Sequence, residues 1–172
     1  YTAIEVLDYL DYDLIQKNPK IFVGYSDITN PDLAIYTQTG LVTYSGCNFS
    51  GIIDPQSGEY NLEYWKKAFL SKTDKNTTWE EITPSTQFFD IIYTSQGKEK
   101  RKHHNPGLQT LQPGTATGRV VGGNFGILCD LMGTPYFPNL DGSILFLEEF
   151  FREETVDFNR HLESLSMQPG FD

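Results

Sequence analysis

The first part of the chain combines apolar residues at helical spacing with short, continuous apolar runs. Residues 2–16 carry apolar side chains three or four positions apart, which predicts one helix or two short ones. The run at 21–23 predicts a buried strand, residues 31–39 predict a helix that stops at Gly40, and 41–44 predict the next strand. A strand, a helix and a strand joined by so short a crossover indicate a parallel α/β unit.

A polar stretch divides this unit from the end of the chain. Residues 73–112 are rich in Thr, Gln, Lys and Asn, and they contain one predicted strand, at 88–93. Apolar patterning on either side of this stretch predicts further elements. Helices are expected at 61–71, 125–132 and 158–166. A short strand that runs into a glycine turn is expected at 118–124, and a buried strand at 144–147.

Composition is that of a globular protein, because 38% of the 172 residues are hydrophobic and 14% are aromatic. The net charge of -10 argues against nucleic acid or an anionic membrane as the main partner, since both require clustered cations. One basic cluster, at residues 98–102, is interpreted as a solvated loop. Cys47 and Cys129 lack a paired metal or redox spacing, and no apolar run is long enough to span a bilayer. A reducing, cytoplasmic compartment is expected.

A serine lies at the corner between the first predicted strand and the helix that follows it. Gly24 precedes Ser26 by two positions, and Asn30 and Pro31 give a helix-start signal. A serine held above a sheet edge, beside helix N–H groups, suits a nucleophile whose oxyanion needs backbone donors. The alternative is that Ser26 or Asn30 only caps the helix. The nine residues alone favour capping.

Two polar positions near the end of the chain could complete a site. Glu148 follows four apolar residues at a strand end, where a carboxylate can orient a histidine. Glu149 points to the opposite face, so at most one of the pair faces a site; the alternative is a solvated strand end. The Gly122–Gly123–Asn124 turn lacks a phosphate-loop pattern, and it either allows close backbone approach or is a simple tight turn.

The three histidines, His103, His104 and His161, have no local context that indicates catalysis, and we interpret them as structural or surface residues. No cluster of His, Cys, Asp or Glu has metal-ligand spacing, so neither a metal nor a cofactor is expected.

Several segments form an ordered set along the chain. They are 11–15, 18–20, Gly24-Tyr25-Ser26-Asp27-Ile28-Thr29, 39–43, Gly118-Arg119-Val120-Val121-Gly122-Gly123-Asn124, 133–136 and Ile144-Leu145-Phe146-Leu147-Glu148. In this order and spacing they resemble the LD-carboxypeptidase family of serine peptidases, including its microcin C self-immunity branch. The resemblance covers nearly the whole chain.

This resemblance implies a Ser-Glu-His triad that cuts an amide near a C-terminus without a metal. Ser26 would be the nucleophile, Glu148 the triad glutamate and the N–H of Asp27 an oxyanion donor. Asn124 would line the substrate site, and Arg152 would meet a substrate carboxylate. The fold class is then α/β, with a parallel-sheet nucleophile domain followed by part of a second, smaller mixed α/β domain. The boundaries expected are 1–72, an interdomain segment at 73–114, and 115–172.

Three features depart from the family pattern. The family's histidine lies well beyond Glu148, and its oxyanion Gly-Gly turn would lie just upstream of Tyr1, so the chain is expected to be an internal fragment that is inactive alone. Leu108 stands where many relatives place a tryptophan, which puts aromatic stacking on the substrate in question.

The sequence is compatible with several functions. The segment at 73–112, which includes Trp79, favours the branch that cleaves the amide between a peptidyl aspartate and a nucleotide-like group. The alternatives are removal of a terminal D-amino acid from murein tetrapeptides, and a non-catalytic module that binds peptides or nucleotides. The expected partner is therefore a peptide or peptidyl-nucleotide, and relatives are often dimers, so a homodimer is possible.

Overall fold

The computed structural model describes residues 2–70, 83–95, 97–149 and 155–171. It confirms the predicted α/β class, with two pairs of parallel strands among helices. Two compact units are present, one formed by residues 1–48 with 115–172 and the other by 49–114. The domain boundaries expected from the sequence stay a prediction.

The first unit begins with two short helices. Of the two predictions for residues 2–16, one helix or two short ones, the structure contains the two short helices. A 3₁₀ helix spans Ala3–Tyr9, and helix α1 spans Tyr12–Lys17. The Asp11 carboxylate accepts the N–H of Leu14 at 2.8 Å and so caps α1. Because Leu7 is buried and Leu14 is exposed, only part of the helical apolar stripe reaches the core.

The predicted strand–helix–strand unit follows. Strand β1 spans Val23–Gly24, helix α2 spans Thr29–Thr39, and strand β2 spans Tyr44–Ser45. The strands pair in parallel, as predicted, and Val23 lies opposite Tyr44. Gly40 ends α2 in the left-handed conformation, at φ 74°, and its N–H donates to the Tyr36 carbonyl.

The end of the chain supplies a second parallel pair to the same unit. Strand β5 spans Arg119–Asn124, helix α5 spans Phe125–Cys129, strand β6 spans Ser143–Glu148, and helix α6 spans Thr155–Ser166. The pairing of β5 with β6 runs from Arg119 opposite Ser143 to Asn124 opposite Glu148. The expectation that residues 144–147 form a fully buried strand is wrong. Burial alternates along β6, and Phe146 is 51% exposed, because only one face of this strand meets the core.

One hydrophobic core joins these elements. It contains residues from the 3₁₀ helix, α2, β5, α5, the loop after α5, and α6, and each fully buried large side chain contributes about 1.5–3 kcal/mol. The first helices and the last one therefore pack into the same unit. The core residues are Leu7, Leu33, Ala34, Val121, Phe125, Leu128, Leu131, Leu140 and Leu165.

The second unit consists of two helices and a hairpin. Helix α3 spans Phe49–Ile52, helix α4 spans Gly58–Leu70, strand β3 spans Gln87–Thr94, and strand β4 spans Gly97–His104. The strands pair antiparallel from Gln87 opposite His104 to Thr94 opposite Gly97. Helix α4 and strand β3 confirm the predictions at 61–71 and 88–93 within the described residues.

The interpretation of residues 98–102 as a solvated loop is wrong, because they lie within β4. Strand β4 consists of charged and polar residues after Gly97, so it has no apolar face by which the sequence could reveal it; its hydrogen bonds to β3 order it instead. Lys100 forms a salt bridge with Asp54 of the same unit. His103 is half-buried and stacks on Phe88, with ring centroids 5.0 Å apart. This packing agrees with its interpretation as a structural or surface residue.

The described helices are short. Helix α4 has 13 residues, and none of the helices in the described ranges combines the length and apolar character needed to cross a membrane. Cys47 and Cys129 are half-buried and form no disulfide.

The close approach of β1 to the start of α2 gives a testable requirement for glycine at position 24. A Cβ added to Gly24 would lie 2.1 Å from Cγ2 and 2.6 Å from Cβ of Ile28. We therefore expect Gly24→Ala to lower the free energy of unfolding by about 1–3 kcal/mol, measured by urea denaturation.

Gly114→Ala is the matched control, because its added Cβ meets nothing within 4 Å. Equal unfolding midpoints for the two variants would show that the corner tolerates a side chain and that the close approach is not required.

Candidate active site

Ser26 lies at a sharp turn between β1 and α2. Tyr25 is extended, at φ -152°, and Ser26 then adopts φ 57°. Among the described residues, Ser26 is the single non-glycine residue with positive φ. Such a conformation costs about 1–3 kcal/mol and is concentrated at functional sites. A 3₁₀ helix, Ser26–Ile28, leads from this turn directly into α2.

The alternative that Ser26 or Asn30 only caps the helix finds no support in these contacts. Neither the 3₁₀ helix that begins at Ser26 nor α2 has a capping hydrogen bond from the side chain of its N-cap residue. α2 begins at Thr29, two residues before the predicted start, so Asn30 lies inside its first turn. Both amide atoms of Asn30 are buried without a partner among the described residues. The serine conformation therefore needs a reason other than capping.

The Asp27 side chain anchors the serine turn to the first helix of the unit. Its Oδ2 accepts the N–H groups of Thr2 at 2.9 Å and of Ala3 at 3.0 Å. Burial opposes the charged form, but these two N–H donors lower the pKa of the carboxyl below its usual value. An ionised Asp27 thus fixes the peptide that follows Ser26, whose N–H is the predicted oxyanion donor.

The Gly-Gly-Asn turn at the end of β5 contacts the start of α2. The Asn124 N–H donates to Thr29 Oγ1 at 3.0 Å in a buried hydrogen bond. Gly123 has φ 142°, and a Cβ there would lie 2.7 Å from the Thr29 side chain. The glycine therefore permits the close backbone approach that was one of the two interpretations of this turn.

Asn124 occupies a constrained position at this contact. It is 8% exposed, and its Oδ1 accepts the Ile127 N–H at 3.2 Å, so it caps α5. Its Nδ2 donates to Glu149 Oε1 at 3.3 Å. The predicted substrate-lining residue is thus held by both ends of its amide.

Glu148 lies directly across from Asn124 in the β5–β6 register, at the carboxyl ends of both strands. Its side chain is exposed on the same face as Ile144 and Phe146. Partial burial and the neighbouring charge of Glu149 raise the pKa of the Glu148 carboxyl. The structure thus brings the serine turn, Asn124 and Glu148 to one region of the unit, through Thr29 and the strand pairing.

Two residues at this site were missed by the sequence analysis, Glu149 and Thr29. Glu149 is half-buried, in phase with Leu145 and Leu147, and its Oε2 accepts the Gly126 N–H at 3.1 Å. The alternation of strand side chains indicated that the two glutamates face opposite ways, but not which contact each makes. Thr29 ends the Gly24–Thr29 motif, but nothing in the sequence indicates that its hydroxyl accepts the Asn124 N–H.

Arg152 lies outside the described residues, as does Trp79, so their predicted roles stay predictions. Leu108 belongs to the second unit and is 91% exposed. The His161 ring packs edge-on against Phe125, at a centroid distance of 5.7 Å. The described residues contain no group of three or more potential metal ligands.

A cavity of about 400 Å³ runs along α2 between that helix and the β5–β6 pair. Its lining includes Thr29, Asp32 and Gly123. Asp32 is 6% exposed, and its Oδ1 has no partner among the described residues. Burial raises the pKa of this carboxyl to about 7.

Comparison with family models places both ends of the chain in the same family. The model of the LD-carboxypeptidase N-terminal domain matches residues 1–46, and the model of the C-terminal domain matches residues 117–172. A Bacillus subtilis protein named "Putative carboxypeptidase YocD" is 39% identical over 171 residues, covering 99% of this chain and 51% of the relative.

Solved structures agree with this assignment. An MccF-like protein from Bacillus anthracis has a TM-score of 0.83 and 38% identity, over 99% of this chain and 51% of that one. MccF in complex with glutamyl sulfamoyl guanosine has a TM-score of 0.77 and 28% identity, over 95% of this chain and 50% of that one. The chain spans about half the length of the curated relatives first matched.

The buried Asp32 carboxyl predicts a pH dependence of stability. The pKa of Asp32 is raised from 3.8 to about 7, so the folded state binds the proton more tightly than the unfolded state does. The stabilisation that comes from this proton is complete below pH 3.8 and is lost as the pH rises through about 7. We expect Asp32→Asn to gain stability relative to the parent protein across this window, by no more than about 4 kcal/mol.

Urea denaturation of both proteins at pH 4.5 and pH 8 measures this difference. Asp157→Asn, a change at a more exposed carboxylate on α6, controls for general charge effects. A stability difference between the Asp32→Asn variant and the parent that is the same at both pH values would contradict a raised pKa.

Proposed function

Because the chain belongs to the LD-carboxypeptidase family, we propose that the protein is a serine-type amide hydrolase with Ser26 as its nucleophile. The observation that supports this most directly is the positive φ of Ser26, at a strand–helix turn where no side chain caps the helix. A nucleophile needs its hydroxyl raised above the strand end, and a cap does not.

The proposed mechanism assigns a separate role to each group around this turn. Ser26 Oγ attacks the amide carbonyl while a histidine base takes its proton, and the oxygen of the tetrahedral intermediate accepts the Asp27 N–H. The histidine gives this proton to the leaving amine nitrogen as the C–N bond breaks, and water then hydrolyses the acyl-serine and restores the Ser26 hydroxyl. Glu148 accepts an N–H of a histidine base and so fixes its tautomer. Its exposed carboxylate at the strand end leaves room for that contact.

None of the three histidines in this chain is assigned as the base. His103 stacks on Phe88 in the second unit, and His161 packs against the buried ring of Phe125. We propose instead that the base is the histidine that follows the triad glutamate in the family pattern. The 172-residue chain alone is then expected to be inactive.

The proposed substrate is a peptidyl- or aminoacyl-nucleotide whose amide lies near a C-terminus. The similarity to MccF, which has been solved with glutamyl sulfamoyl guanosine and with aspartyl sulfamoyl adenosine, supports this choice. Asn124 is proposed to contact the substrate, and Arg152 to meet its carboxylate. A murein tetrapeptide is the alternative substrate. We further propose that the protein acts in the cytoplasm and forms a homodimer.

Replacement of the nucleophile tests the mechanism. In the full-length protein, we expect Ser26→Ala to reduce hydrolysis of an aspartyl-nucleotide amide by at least about 10³-fold, because removal of a triad member leaves only binding and the oxyanion donors. Binding of aspartyl sulfamoyl adenosine, measured by calorimetry, should be retained.

Ser166→Ala, at an exposed position on α6, is the control and should keep its activity. A murein tetrapeptide assayed in parallel separates the two substrates. Undiminished turnover by the Ser26→Ala variant would refute the proposed nucleophile.

A further inference from the structure

Glu149 forms a two-point contact at the turn that ends β5. One carboxylate oxygen accepts the Asn124 side-chain N–H at 3.3 Å, and the other accepts the Gly126 backbone N–H at 3.1 Å. Both partners lie within three residues of each other, at the junction of β5 and α5. Glu149 therefore ties the residue after β6 to this junction.

The contact with Glu149 determines how the Asn124 amide is oriented. The Ile127 N–H requires an acceptor, and the Glu149 carboxylate requires a donor. Only one of the two orientations of the amide supplies both, with Oδ1 toward Ile127 and Nδ2 toward Glu149. An amide nitrogen carries two hydrogens, so the second N–H of Asn124 is held in a fixed direction.

Glu149 also limits where Glu148 can lie. The two residues are adjacent, and Asn124 is paired with Glu148 across the strands. The hydrogen bond between Glu149 and Asn124 and the strand pairing between Glu148 and Asn124 therefore both restrain the peptide that joins the two glutamates. The Asn124 amide and the backbone of Glu148 are thus held by the same anchor.

We propose that Glu149 is a positioning residue of the active site, which orients Asn124 for substrate and acts through it. This inference rests on the proposed function, in which Asn124 contacts the substrate. The two-point contact requires a carboxylate, because a glutamine has an NH2 group in place of one of the two oxygens, and that group cannot accept an N–H from Asn124 or Gly126.

The variant that tests this role is Glu149→Gln in the full-length protein. Loss of a hydrogen bond to a charged group predicts a KM for the aspartyl-nucleotide amide that is raised about 10- to 100-fold, with kcat nearly unchanged. A merely structural role would instead lower the folded, active fraction, and so lower kcat at constant KM. Glu163→Gln, at an exposed carboxylate on α6, is the matched control and should change neither value.

A double-mutant cycle shows whether Glu149 acts through Asn124. In an Asn124→Ala background, we expect Glu149→Gln to have no further effect on KM, because the amide that it orients is gone. An effect of the same size in both backgrounds would overturn the proposal, as would an unchanged KM in the single variant.

Binding in a Ser26→Ala background separates this inference from the proposed function. There, Glu149→Gln should weaken binding of aspartyl sulfamoyl adenosine by the same factor as KM. If the analogue binds with this dependence but no amide is hydrolysed, the proposed function fails and the inference stands. If hydrolysis occurs but neither value responds to Glu149→Gln, the inference alone fails. If the protein neither binds nor hydrolyses, both fail.

Discussion

The hydrogen bond between the Asn124 N–H and Thr29 Oγ1 is the contact on which the arrangement of the site depends. It joins the end of β5 to the start of α2, and the two bonded residues are 95 positions apart in the chain. Because Ser26 lies three positions before Thr29, and Glu148 lies opposite Asn124, this one contact sets the position of both proposed catalytic side chains. Glycine at 123 is needed for it, since any side chain there would overlap Thr29.

The site contains strain that the surrounding structure must compensate. Positive φ at Ser26 costs about 1–3 kcal/mol. Two hydrogen bonds of the Asp27 carboxylate fix the peptide that follows Ser26, and the core residues Leu33 of α2 and Val121 of β5 pack the two elements that meet at the site. The turn is thus held by contacts on both sides, which is the preorganisation that an oxyanion site requires.

Much of this arrangement could be predicted from the sequence, because it follows local patterns. The serine corner, the helix stop at Gly40 and the glycine turn before Asn124 each have a local signal, and the structure contains all three. The motif order also indicated the family, which the comparisons show. The proposed roles of Ser26, Glu148 and Asn124 stay predictions.

The remaining features depend on contacts between distant residues. Strand β4 has no apolar face, so its pairing with β3 could not be recognised from residues 98–102. The role of Thr29 requires knowledge that β5 lies beside α2. The sequence indicates only that Glu149 and Glu148 end a strand and face opposite ways. The fold shows that the Glu149 carboxylate accepts N–H groups of Asn124 and Gly126.

Identification of the residue labelled by a fluorophosphonate probe would test the central claim most directly. The measurement is peptide mapping by mass spectrometry after the full-length protein has reacted with the probe. Our account predicts a single adduct on the Ser26 hydroxyl, because the strained turn presents that oxygen next to the Asp27 N–H. An adduct on another residue, or an intact protein with Ser26 unmodified, would contradict it.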